Sequence, residues 1–208
     1  MLWLDVVHVF DSAFPTGAYA HAAGLESLKP PDLRAALDLR LEESIGRLDL
    51  VFLLHAYRDD LVMLDDFLHA SLLIREPREA SSVIGTSLLR SACDVLPDQR
   101  LAAFLANGAH HHHAVAFGAL ACALEMEPEL AAQAYAFNSM RALVSAAQRL
   151  GWIGQRRAQR TLHELKPGCV TAAREASHMT LDEAGAFAPL WDLASMQHEH
   201  APVRMFAS

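Results

Sequence analysis

The chain has little cysteine: Cys93, Cys122 and Cys169 among 208 residues, none in a C-x-x-C pair. An odd, scattered set argues against a disulfide framework and for a reducing compartment. No basic start followed by an apolar run opens the sequence, so no secretory leader is expected. The longest apolar stretch, Ala114 to Leu124, spans about 16 Å as a helix, too short to cross a bilayer. These absences predict a soluble, cytoplasmic protein without membrane contact. Charged residues are only 20% of the chain, and the net charge is −8 with His neutral. That balance opposes nucleic-acid binding, which relies on clustered Lys and Arg. The one basic run, Gln155-Arg156-Arg157-Ala158-Gln159-Arg160, is short and reads as a solvated helix face. No G-x-x-x-x-G-K-[ST] exists, so P-loop nucleotide binding is excluded. Ser12, Ser44 and Ser145 lack a G-x-S-x-G setting. The paired carboxylates Glu42-Glu43, Asp59-Asp60 and Asp65-Asp66 read as solvated faces.

What the chain has in quantity is apolar surface, 52% of residues. That share implies a generous core or an apolar face kept for a partner. Leu37, Leu41, Ile45, Leu48 and Phe52 recur at three- and four-residue steps and share one helix face. Asp32 is placed to cap that helix. Ala136, Met140, Leu143, Ala147 and Leu150 repeat the pattern, and Gly151 ends it. Ala158, Leu162 and Leu165 follow after Gly154. Thr180-Leu181-Asp182-Glu183 has capping-box form and marks another helix start. Pro77, Pro97, Pro128, Pro167 and Pro189 are expected to separate successive helices. No period-two alternation or βαβ rhythm is seen. The reading is all-α: a single compact bundle over residues 1–208, of about eight to ten helices. Ala114 to Leu124, apolar all round, is its expected central helix.

Four places could carry function. His110 and His113, in a run of four histidines, would share a helix face and are weak candidates for a transition metal, short of the three or four ligands a firm site uses. His198-Glu199-His200 points to different faces of a helix and suits an interaction surface better than a ligand set. Pro15 and Gly17 shape a turn that opens a helix carrying Tyr19, His21 and Glu26. The tail, residues 201–208, ends on Arg204, Met205 and Phe206. Burying Val203, Met205 and Phe206 gains roughly 1.5–3 kcal/mol each, nearly cancelled by about 1–2 kcal/mol per ordered residue. Such a segment either orders on a partner or docks on its own bundle.

Four blocks in order resemble the UreF family of urease accessory proteins. The first is Phe14-Pro15-Thr16-Gly17 through Gly24-Leu25-Glu26, similar to the family's Pro-x-Gly-Gly-(Phe/Tyr) and Gly-Leu-Glu elements, with Ala18 where a second glycine is common. The second is Arg78 to Arg90. The third runs from His113-Ala114-Val115-Ala116-Phe117-Gly118 to Arg149-Leu150-Gly151-Trp152-Ile153-Gly154-Gln155 and on to Gln159. The fourth is Asp192 to Ser208.

The resemblance implies a non-catalytic, all-helical maturation factor that forms homodimers. It implies partners: a UreD/UreH-type scaffold, the UreG GTPase and urease apoprotein, in a complex that handles nickel, with no cofactor held firmly by this chain. Pro15, Gly17, Tyr19, His21 and Glu26 would shape a contact surface, and Arg149 and Gln155 would face the GTPase. His198, Glu199, Arg204, Met205 and Phe206 would anchor the scaffold, with 201–208 a partner-dependent tail. A third role is GTPase activation through Arg204 or another arginine. The alternative from another class is a helical metal-binding enzyme of the oxygenase or di-metal type. Its Glu-x-x-His pairs are missing here: neither Glu125 nor Glu164 has a His three residues on.

Overall fold

The computed structural model describes residues 3–11 and 13–208; Ser12 lies outside them. Among the described residues the protein is all-α, with no strand. Helix α1 (Trp3–Val9) leads through a 3₁₀ turn (Ala18–Ala20) to the short α2 (Leu25–Leu28). Next come α3 (Leu33–Arg40), a π-helical stretch (Leu41–Asp49) and α4 (Leu50–His55), which follow one another without a break. Asp32 caps this rod as expected, accepting from the Arg34 and Ala35 amides. Its apolar residues Leu37, Leu41, Ile45, Leu48 and Phe52 are all buried. The wider π register coincides with carbonyls turned to other partners: those of Glu43 and Arg47 accept from the Phe187 and Gly185 amides.

The remaining helices are α5 (Leu61–Ser71), α6 (Arg75–Val95), α7 (Gln99–Asn107), α8 (His113–Ala123), α9 (Pro128–Arg149), α10 (Gln155–Ala176) and α11 (Pro189–Glu199). Every residue of α8 from Ala114 to Ala121 is buried, as an all-apolar helix requires. It packs against α4, α6 and α9. A methyl group on Gly118 would lie inside contact distance of the Leu53 carbonyl and 2.9 Å from Ala56 Cβ, so only glycine admits this crossing. One buried cluster joins residues from α1 to the tail.

Two prolines depart from expectation. Pro77 lies in the first turn of α6, where its missing N–H removes no helix bond. Pro167 sits inside α10 and does not end it. It is exposed, while Leu162, Leu165, Cys169 and Ala172 on both sides are buried, so packing on each flank holds the helix across the lost bond. Pro128 and Pro189 open α9 and α11. The Thr180–Glu183 capping box is present, but it opens only a 3₁₀ turn.

Candidate partner-binding surface

The two ends of the chain meet. Residues 20–22 and the tail exchange backbone hydrogen bonds: Ala22 donates to the Ser208 carbonyl at 2.7 Å, and Ala207 to the Ala20 carbonyl at 2.8 Å. His21 Nδ1 and Ser208 Oγ are 2.7 Å apart. In the chain alone the tail packs on its own bundle. Phe206 is buried, and the Arg149 guanidinium lies 4.3 Å from its ring centroid. That stack joins the tail to the end of α9.

Glu26 fastens the join. Its carboxylate accepts from the Met205 amide at 3.0 Å, the Phe206 amide at 3.3 Å and His198 Nε2 at 3.2 Å. Burial pushes Glu26 up, but the two amides and His198 outweigh it and hold the carboxyl below the usual glutamate range. His198, fully buried on α11, also contacts Glu76 of α6 through Nδ1 at 2.9 Å. Arg204 reaches the same Glu76 at 3.4 Å, and Arg75 pairs with Glu199. One imidazole thus ties α2, α6 and α11 together under the tail.

The turn before this join is not the helix opening the sequence suggested. Gly17 has φ +73°, a left-handed conformation with open space around it, so it is the backbone angle that calls for glycine. A 3₁₀ turn of three residues follows and stops at His21. Glu26 belongs to a separate helix, α2, entered through Gly24 at φ +80°. There a methyl group would meet Ser195 Oγ at 2.5 Å, because α2 and α11 cross at that point.

His21, Glu26, His198, Arg204, Met205, Phe206 and Arg149 are thus linked by contacts around the meeting of the two chain ends, and Tyr19 precedes the Ala20 carbonyl that takes part in it. Glu199 joins them through Arg75. Pro15 and Gly17 lie at the rim of an adjoining cleft. Gln155 stands apart, accepting from Gln148 Nε2 at 2.6 Å across the Gly151 turn. Tyr19 (75% exposed) and Met205 (59%) face outward, and Leu190, Leu193 and Met196 of α11 add further exposed apolar surface.

The four histidines do not form the face expected of them. Helix α8 begins only at His113, and residues 110–112 lie before it. Asp65, read in the sequence as solvated, is fully buried and accepts from the amides of His110, His111 and His112 at 2.7–3.0 Å. The His110 ring stacks on His69 at 3.5 Å between centroids. His111 donates from Nε2 to the Phe104 carbonyl, and His112 Nε2 faces His69 Nδ1 at 3.1 Å. His113 packs on Tyr135, and burial pushes it down to about 4. Among the described residues, no three His, Cys, Asp or Glu side chains are arranged to hold a metal ion. No described helix is long and apolar enough to cross a membrane.

Glu76 and Ser195 were missed by sequence reasoning. Glu76 sits 122 positions from the histidine it holds, and no local pattern signals that pairing.

Comparison with known proteins bears on this architecture. The UreF family model matches residues 29–166. The urease accessory protein UreF of Paenarthrobacter aurescens (strain TC1) is 35% identical, over 99% of this chain and 97% of its own length. That of Arthrobacter sp. (strain FB24) is 32% identical, over 99% and 96%. The urease accessory protein F of Oryza sativa subsp. japonica is 30% identical, over 96% and 83%. The two bacterial relatives, at 99% coverage, extend over both terminal segments that the family model leaves out. The chain belongs to the UreF family of urease accessory proteins.

Proposed function

We propose that this protein is a non-catalytic adaptor in urease maturation. It joins a UreD/UreH-type scaffold to the UreG GTPase, and the assembly delivers nickel to urease apoprotein. Nickel is cargo of that assembly on this reading, and the adaptor works in the cytoplasm as a homodimer. The observation that carries the reading is the join between the chain ends. A buried ion network fixes a tail whose Met205 and Arg204 face solvent, beside exposed Tyr19 and the open face of α11. Exposed apolar groups held on a rigid support suit recognition by another polypeptide. Phe206 then acts by seating the tail, while Arg204 and Met205 meet the scaffold. Arg149 and Gln155 flank the Gly151 turn and are assigned to the GTPase side.

The test is co-purification of the tagged protein with the scaffold and GTPase. A stable ternary complex is expected. Recovery of neither partner contradicts the adaptor reading. Adding the protein to UreG and following GTP hydrolysis separates recruitment, with the rate unchanged, from activation.

A further inference from the structure

A half-open cleft of about 650 Å³ runs beneath the first segment, between the Pro15–Gly17 turn, α6 and α9. That volume lies in the range of small-molecule sites. Phe10, Phe14, Ile45, Ile84, Leu88 and Phe117 make much of its wall. Arg40, the last residue of α3, is set into that wall. Its guanidinium lies 5.4 Å from the Trp191 ring centroid. Among the described residues, no acceptor lies within hydrogen-bond distance of it; Asp49 and Asp192 act on it through charge alone. Asp49 is engaged elsewhere, accepting from Tyr135 Oη at 3.1 Å. Arg40 is half-buried, and its guanidinium carries five donors that a carboxylate can engage.

We propose that this cleft binds a small organic carboxylate, its charge on Arg40 and its apolar body against the aromatic wall. Arg141, Arg149 and His21 also line the cleft, so the choice of class rests on two other features. Its apolar side chains give an organic body a surface that an inorganic oxyanion cannot use, and Asp49 and Asp192 repel a second negative charge at Arg40, which disfavours phosphate there. The site is independent of the adaptor reading and stands or falls separately.

Asp49 gives the site a pH signature. Burial raises its carboxyl to about 6, against the pull of Arg40 and Tyr135. Protonating it between pH 7.5 and 5.5 removes a repulsion beside the ligand, so binding tightens as pH falls. Burial pushes His113 down to about 4, so it stays neutral over that range, and burial also lowers His21 against the pull of Glu76. Burial also raises the Asp192 carboxyl, against the pull of Arg40.

The test is titration of the intact protein with benzoate, acetate and inorganic phosphate, followed by NMR or calorimetry. Benzoate is expected to bind at least roughly tenfold more tightly than either of the others. Arg40→Gln should weaken benzoate by roughly tenfold or more. Since Arg40→Gln can also perturb folding, Asp49→Asn is the second variant. It should tighten benzoate roughly three- to tenfold at pH 7.5 and flatten the pH dependence. No benzoate binding at about 10 mM, equal binding of benzoate and phosphate, or an unchanged affinity in Asp49→Asn overturns the proposal.

Discussion

Replacing Glu26 by alanine removes the acceptor on which the tail is hung. Three donors lose their partner: the Met205 amide, the Phe206 amide and His198 Nε2. Hydrogen bonds to a charged group contribute about 1.5–3 kcal/mol each when buried. Met205 is exposed, so its bond is worth less. His198 keeps Glu76, so its loss is partial. The sum is about 2–4 kcal/mol of tail anchoring. Amide hydrogen exchange reads that quantity residue by residue. At about 1.4 kcal/mol per factor of ten, the Met205 and Phe206 amides should exchange roughly 30- to 800-fold faster. Ala207 and Ala22, which bond across the same join, should accelerate with them. Amides of α8 should not change. Unaltered exchange at Met205 and Phe206 would refute the assignment of Glu26 as the anchor.

Acid should loosen the same join. The Glu26 carboxyl is held below its ordinary 4.5, so its contribution is present above that value and is lost as pH falls through the lowered one; NMR titration placing Glu26 at or above 4.5 contradicts this. Gly24→Ala forces a side chain into a left-handed backbone and onto Ser195. The cost is about 2–4 kcal/mol, a fall in Tm of roughly 4–16 °C, and calorimetry finding no fall refutes the crossing geometry. Asp65→Asn should cost about 2–4 kcal/mol by discharging the acceptor of three amides. It should lower the urea midpoint at constant slope and speed exchange at His110–His112; an unchanged midpoint contradicts the anchoring role.

What could be read from the sequence was mostly local. The Asp32 cap, the Leu37-to-Phe52 stripe and the all-apolar α8 each depend on neighbours within about a turn along the chain, and each stands in the structure. Pro167 misled because a breaker rule describes an isolated helix, whereas burial on both flanks carries α10 through it. Asp65 and the four histidines misled because a carboxylate 45–47 positions away decides the loop's path. The terminal surface was partly legible. Its residues stood out by type, but Glu76, which holds His198 and Arg204, gave no local sign. The tail's seat was also out of reach, since it rests on backbone bonds between opposite ends of the chain.

The affinity of this protein for the UreD/UreH-type scaffold, with and without Phe206→Ala, tests the adaptor account most directly. Phe206 is buried under Arg149, so its loss should unseat the tail and weaken binding by roughly tenfold or more, with helicity by circular dichroism unchanged. An unchanged affinity in a folded variant would take the tail out of partner recognition.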